Sequence, residues 1–283
     1  MKKILVTGKN SYIGDAFEKW MAGDQYQIDK IDLKDPNWRE MDFSSYDVVF
    51  HVAGIAHADV SKVSEETKQL YYKVNTNLTE ETAMKYKKDR EGRPAHFIFM
   101  SSIIIYGEET SVNKKRIITS DTLPNPSNFY GDSKLQAEHK LEALRSTTFK
   151  IAILRPPMIY GPGSKGNYQQ LTKLAMKLPF FPNVKNERSM LYIDHLNAFL
   201  KDIIDEGASG VFFPQDEEYV CTSQLVKKIA VENGKNIILL PGTSWVIKLL
   251  GYIPGKIGRL TNKAFGNLVY EKNHISETRE YKT

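Results

Sequence analysis

Ile4-Leu5-Val6-Thr7-Gly8-Lys9-Asn10-Ser11-Tyr12-Ile13-Gly14 is the stretch that decides the fold of this 283-residue chain. Three apolar residues in a row read as a strand buried on both faces. A glycine-punctuated turn comes next, and then Ala16, Phe17 and Trp20 at helical spacing. A chain that turns sharply here and lets its backbone approach a pyrophosphate needs glycine. The helix that begins beyond the turn offers N–H donors and the positive end of its dipole to the phosphates. Gly8, Asn10, Ser11, Tyr12, Ile13 and Gly14 are therefore cofactor-binding candidates. Ser11 stands where the middle glycine of such a turn is usual; it is small enough for a phosphate to approach but leaves the turn less free. A glycine pair after a strand also occurs as a plain turn, so the residues beyond it decide its meaning.

Moving outward, a second strand covers about 27–31 and ends at Asp32. A carboxylate there accepts the ribose hydroxyls of NAD and repels the 2′-phosphate of NADP. Asp29 and Asp35 are alternatives, and Lys30 and Lys34 would favour NADP. A third strand spans 47–52, a long polar helix about 65–88, a strand 96–100, a helix about 128–145 and a strand 151–154. Strand and helix alternating in this way predict a parallel sheet with helices on both faces. Right-handed crossovers make it a Rossmann-type doubly wound α/β fold. After Arg155 the texture changes to proline-punctuated loops and small helices, expected to cap the edge of the sheet where ligands of such folds bind.

Composition closes off other classes. The single Cys221 cannot form an internal disulfide, which fits a reducing cytoplasm. No run reaches the ~18–20 apolar residues of a membrane span, and the apolar run after Met1-Lys2-Lys3 is too short for a signal peptide. The net charge of +5 is spread over scattered lysines with no nucleic-acid motif. The histidines (51, 57, 96, 139, 195 and 274) show no metal-ligand spacing, so no metal is expected. Near the C-terminus, Trp245, Ile247, Leu249, Leu250, Tyr252 and Ile253 mix with Lys248, Lys256 and Arg259. The segment reads as a packed flap, with a membrane-surface helix as the alternative.

Tyr-x-x-x-Lys occurs at Tyr26–Lys30, Tyr130–Lys134 and Tyr252–Lys256. Only the second lies in an expected helix, where positions i and i+4 share a face and bring the ammonium near the phenol. Tyrosine titrates near ~10 in isolation. The ammonium, joined by an oxidised nicotinamide, is expected to lower that value, so that the phenol exchanges a proton with a substrate hydroxyl while hydride moves. Ser102, closing the strand 96–100, would hold the reacting oxygen beside the phenol. Ser102, Tyr130 and Lys134 are the expected catalytic set.

With these residues in hand, the chain resembles the extended short-chain dehydrogenase/reductase family of nucleotide-sugar epimerases, dehydratases and reductases. Thr7–Gly14 is similar to the family's TGxxGxxG apart from Ser11, and Asp42-Phe43 looks like its adenine contact. His51-Val52-Ala53-Gly54 looks like the loop passing the pyrophosphate, and Asn75 stands in the Val-Asn-x helix motif. Ser101–Gly107 matches the catalytic-serine segment, and Tyr130-Gly131-Asp132-Ser133-Lys134 with Glu138 matches YGxSKxxxE. Arg155–Pro162 and Arg188–Asp194 match the later RPxxxYGP and RxxxYVxD segments.

The resemblance implies that Asp42, Phe43, Val52, Ala53, Gly54 and Asn75 contact NAD, or NADP. It implies that Arg188 and Asn167 meet a nucleotide sugar, UDP-linked by the same resemblance, and that the chain forms a homodimer. It further implies an NAD(P)-binding domain of 1–158 with 189–215, and a sugar-binding region of 159–188 with 216–283. Ser102-Ile103-Ile104 lacks the acids of the 4,6-dehydratases, which argues against dehydration. The expected activity is reduction of a UDP-4-keto-6-deoxy-N-acetyl sugar for capsule or O-antigen synthesis. A UDP-sugar 4-epimerase is the alternative, and a non-catalytic NAD(P)-sensing protein a remote one.

Overall fold

The computed structural model describes residues 1–23, 25–56, 63–108, 110–164 and 166–272. Its central sheet runs β2 (Tyr26–Ile31), β1 (Lys2–Thr7), β3 (Val48–His51), β4 (Ala95–Met100), β6 (Phe149–Leu154) and β10 (Gly210–Phe212), all parallel. The chain passes to one side of β1 to make β2 and to the other to make β3, so the topological switch point lies beside β1. Thr7 pairs with Ile31 and His51, His51 with Phe99, and Phe99 with Ile153. That register brings Gly8, Asp32, Val52–Gly54, Ser101–Ser102 and Arg155 to one edge of the sheet.

Two-sided burial explains the apolar strands. Ile4, Val6, Phe50, Ile98 and Leu154 face a core built with α1 (Tyr12–Trp20) and α6 (Ile193–Glu206). Leu5, Val49, Phe97, Phe99 and Ile153 face the opposite core, closed by α3 (Leu78–Arg90) and α4 (Phe129–Leu144). Alternation of successive side chains across the strand sends each residue to one helical layer or the other. The Asn128 carboxamide caps α4 by accepting the Gly131 N–H at 2.9 Å.

Two elements differ from expectation. The helix expected over 65–88 is divided into α2 (Glu65–Tyr71) and α3 by a π-helical turn, Tyr72–Asn77, which buries Asn75 and Thr76. Both side chains bond to their surroundings rather than to their own helix, and the widened turn aims them. The stretch after Arg155 contains more than loops and small helices. α6 is 14 residues long and buries Leu196, Phe199, Leu200, Ile203 and Ile204 at helical spacing.

The remaining elements are short. β5 (Lys115–Ile118) pairs with β12 (Asn267–Tyr270), β7 (Met158–Tyr160) with β9 (Met190–Tyr192), and β8 (Phe180–Pro182) with β11 (Ile238–Leu240). The last two pairs, with α5 (Asn167–Lys177), α7 (Thr222–Glu232), α8 (Ser244–Leu250) and α9 (Lys256–Phe265), surround an apolar cluster that includes Phe181, Val226, Ile229 and Phe265. β5 and β12 pack Ile118, Leu268 and Tyr270 against Ile105 and Tyr106. No helix among the described residues is long and apolar enough to cross a membrane.

Candidate active site

The glycine turn leaves β1 with Gly8 at φ +89° and Asn10 at φ +65°, both left-handed. A Cβ at Gly8 would come within 3.1 Å of the Ala53 backbone, so this position needs glycine twice over. Ser11 caps α1, its hydroxyl accepting the Gly14 N–H at 3.1 Å. One donor of the helix start is thus satisfied within the chain. Tyr12 comes next, its hydroxyl buried beneath Gly161 with no hydrogen-bond partner at bonding distance. Burial pushes this phenol up to about 12, with Tyr192 adding to the shift. Ile13 packs part-buried against the α1 side of the sheet.

Asp32 lies beside this turn, its neighbour Ile31 accepting the N–H groups of Gly8 and Lys9. The Asp32 carboxylate accepts the Lys34 N–H at 3.0 Å. Of the alternative acids, Asp29 accepts the Tyr46 hydroxyl at 2.9 Å, and Asp35, like Asp32, accepts a backbone N–H two residues on, capping a 3₁₀ turn. Lys30 is held by Asp15 and Glu18. Asp42 is exposed and accepts both the N–H and the hydroxyl of Ser44, which lowers its pKa. Phe43 is fully buried and its N–H goes to Asp89, so the structure places this ring in the core.

Val52, Ala53 and Gly54 continue β3 past the switch point, with Gly54 exposed. Asn75 holds this loop, accepting the Ile55 N–H at 2.8 Å and donating to the Ile55 carbonyl and the Ser133 hydroxyl. It belongs to a buried chain that spacing alone did not reveal. Thr7 bonds His51, His51 bonds Thr79, and Thr79 donates to the Asn75 carbonyl. Ser133, which receives Asn75, donates to the Tyr130 carbonyl. Burial pulls His51 down to about 3, with Lys134 nearby acting the same way, so its ring is neutral. A glycine-turn strand and the Tyr130 helix are thereby joined by uncharged hydrogen bonds.

Ser102, Tyr130 and Lys134 meet at the end of β4. Ser102 opens a 3₁₀ turn, Ile103–Tyr106, its hydroxyl accepts the Ile104 N–H at 3.3 Å, and it acts on the Tyr130 phenol to lower its pKa. Tyr130 is partly exposed, with Tyr71 edge-on at 5.9 Å. Lys134 is buried; its ammonium donates to the Met100 carbonyl at 2.9 Å and lies 4.7 Å from the Phe99 ring centre. A Cβ on Gly54 would stand 3.2 Å from that ammonium, so the pyrophosphate-loop candidate and the lysine share one wall.

The expected lowering of the Tyr130 pKa is not seen in this arrangement. Burial pushes the phenol up to about 12, Ser102 opposing, and burial pulls Lys134 down to about 8. Desolvation is the largest cause of both shifts; Ser102 opposes it at the phenol and Glu138 at the lysine. The other Tyr-x-x-x-Lys spacings fall in β2 and across the turn before α9.

Behind the triad, the Ser101 hydroxyl bonds Glu138, which forms a bidentate pair with Arg155 (2.6 Å). Arg155 also donates to the Tyr106 hydroxyl at 2.7 Å. By its sequence position Ser101 is a mere strand terminus; its partner was legible only as the last letter of a motif.

On the substrate side, Asn167 is exposed at the first turn of α5. Arg188 does not pair with its neighbour Glu187, which is taken by Lys115. Its guanidinium donates to the Lys263 carbonyl at 2.7 Å in the last turn of α9. Asp216 accepts the Tyr160 hydroxyl and bonds His195, both at 2.8 Å, a cluster with no sequence signature. Among the described residues no group of His, Cys, Asp and Glu could hold a metal ion.

Residues 4–207 match the model of the NAD dependent epimerase/dehydratase family. The chain is 31% identical, over 99% of its own length and 90% of the relative's, to a UDP-glucose 4-epimerase of Vibrio cholerae. It is 27% identical, over 83% of its length and 69% of the relative's, to an N-acetyl-α-D-glucosaminyl-diphospho-ditrans,octacis-undecaprenol 4-epimerase of Escherichia coli O157:H7. In fold it is similar to a dTDP-4-dehydrorhamnose reductase of Bacillus anthracis in complex with NADP. That likeness has TM-score 0.75 and 17% identity, over 100% of this chain and 95% of that one. It is also similar to a UDP-glucuronic acid 4-epimerase of Bacillus cereus in complex with NAD, with TM-score 0.69 and 19% identity over 99% and 94% of the two chains.

Proposed function

The chain belongs to the NAD dependent epimerase/dehydratase family, a group of NAD(P)-dependent enzymes acting on nucleotide sugars. From that premise we propose that it reduces the 4-keto group of a UDP-4-keto-6-deoxy-N-acetyl sugar, with Tyr130 as proton donor. One observation carries the assignment of the proton donor. The Tyr130 phenol is partly open on the helix that also carries Lys134, and with a pKa pushed up to about 12 it is protonated at neutral pH. A ketone being reduced needs a proton given to its oxygen, and a protonated phenol gives one.

The residues fit a dinucleotide. Gly8 turns in a left-handed conformation against the Ala53 backbone, Gly54 is exposed beside Lys134, and Asp32 follows β2 next to them. Gly8, Asn10–Gly14, Val52–Gly54 and Asn75 would hold it there, with Asp32 on the adenosine ribose. A nicotinamide bound there supplies the hydride. Tyr130 gives its proton to the substrate oxygen, and the Ser102 hydroxyl holds that oxygen beside the phenol. Lys134, charged below about pH 8, stabilises the phenolate left behind. Arg188 meets the diphosphate and Asn167 the sugar side. In this reading 1–158 with 189–215 form the cofactor domain and 159–188 with 216–283 the sugar region. A cytoplasmic location goes with this reading.

A UDP-sugar 4-epimerase is the second reading, and the Vibrio cholerae relative favours it. An epimerase must keep its cofactor while the keto sugar turns over, whereas a reductase exchanges it every cycle. Ser11, which occupies the Gly14 N–H, favours the looser hold. The purified protein is expected to carry little bound NAD and to oxidise added NAD(P)H in step with a 4-keto nucleotide sugar. Tightly bound NAD after gel filtration, with UDP-glucose and UDP-galactose interconverted without added cofactor, would establish the epimerase instead.

A further inference from the structure

From Asn233 to Tyr270 the chain contains no Asp or Glu, yet it carries Lys235, Lys248, Lys256, Arg259 and Lys263. α8 and α9 form a helical hairpin within this stretch. Its inner side is firmly seated: Ile247, Leu250 and Phe265 pack into the apolar cluster around Phe181. Asn262 accepts the Val112 N–H at 3.0 Å and donates to the Gly251 carbonyl, and Asn113 donates to the Lys248 carbonyl. The outer side is apolar. Trp245 is 69% and Tyr252 73% exposed, with Leu249, Ile253, Ile257 and Leu260 also open. Trp245 and Leu249 are one helical turn apart, as are Ile257 and Leu260, so each helix presents a pair. Lys248, Lys256, Arg259 and Lys263 stand among them, and none is paired with a carboxylate among the described residues. Glu187, at the base of the hairpin, is already held by Lys115.

We propose that the outer face of α8, the turn Gly251–Gly255 and α9 docks the enzyme on an anionic phospholipid surface. Exposed aromatics flanked by free cations, on a rigid support and without acids, match an interface of apolar acyl chains beneath negative headgroups. A second copy of the chain fits this face poorly, because face-to-face contact would bring like charges together. The docking is peripheral, since no described helix can span a bilayer. Arg188, the arginine assigned to the diphosphate, donates to the Lys263 carbonyl of α9.

Flotation of the full chain with vesicles tests this. Vesicles of phosphatidylcholine mixed with phosphatidylglycerol should retain the protein, and phosphatidylcholine alone should not. Raising salt to about 1 M, where the screening length is ~3 Å, should release it. Charge reversal in Lys256→Glu/Arg259→Glu should weaken binding at least tenfold. Trp245→Ser/Leu249→Ser should do likewise, with circular dichroism and turnover of a soluble nucleotide sugar unchanged in both. Absence of binding to the anionic vesicles, or binding that ignores charge reversal, overturns the proposal. So does self-association in sedimentation equilibrium that Leu249→Ser abolishes while vesicles bind nothing.

Discussion

In β1 and β4 the apolar residues meet a helical layer on each face of the sheet: Ile4, Val6 and Ile98 on one side, Leu5, Phe97 and Phe99 on the other. In α8 and α9 only one side meets anything, and Trp245, Leu249 and Tyr252 look outward. The first region uses its apolar residues to fix an edge, where Gly8, Asp32, Gly54 and Ser102 must stand in mutual register. The second holds a pair of helices in place with a minimum of core and leaves the rest for contact with something else. Two-sided burial makes the catalytic edge intolerant of displacement, because a one-residue slip in a strand would exchange its two faces. The C-terminal part is built on strands of only three or four residues.

Substitutions at the edge and at the hairpin should therefore separate chemistry from binding. The largest effect belongs to Tyr130→Phe. The ring keeps its edge contact with Tyr71, so folding should hold while turnover falls by about 10²–10⁴. The pH profile sharpens the result. Lys134 is charged below about 8 and neutral above, so kcat/KM should fall as pH rises through that value, and Lys134→Met should lack this limb. Near-normal turnover in Tyr130→Phe would remove the distinction between the two regions.

Arg188→Ala comes next, and it probes the seam between them. A charge-assisted contact is worth roughly 1.5–3 kcal/mol, so KM for the nucleotide sugar should rise about ten- to a hundredfold with KM for the cofactor little changed. Unaltered UDP binding by calorimetry would show that Arg188 serves only to hold Lys263.

The smallest effect is expected at Asp32. Removing its carboxylate in Asp32→Ala should shift the NAD-to-NADP ratio of kcat/KM by about tenfold or less towards NADP, since one exposed charge repulsion is lost. Asp29 is occupied by Tyr46, so the same change there should leave the ratio alone. A constant ratio in Asp32→Ala would detach this acid from the cofactor.

How much of this was legible depends on how local each signal is. Ile4-Leu5-Val6 before Gly8, and Tyr130 four residues before Lys134, are short-range patterns. Strand burial and helix periodicity turn them directly into a buried sheet and a shared helical face. The parallel α/β architecture and the family could thus be read from the residues alone. The long α6 carries its apolar residues at helical spacing with no proline between Pro182 and Pro214, so its signal is present in the sequence and is passed over only by reading the whole stretch as proline-punctuated. The π turn at Tyr72–Asn77 escaped because the side chains that widen it, Asn75 and Thr76, bond to Ile55 and α4, which are distant in sequence.

The chain by itself determined which residues carry strand, turn and helix, and that one Tyr/Lys pair alone lies on a helix. Only the tertiary structure decided the protonation of that pair, the Thr7–His51–Thr79–Asn75–Ser133 chain behind it, the Glu138–Arg155 pair, and the outward turn of Trp245 and Tyr252. Each of these depends on how dry a wall is or on which distant segment stands opposite. Desolvation and long-range partners are properties of packing, and no spacing in the sequence records them.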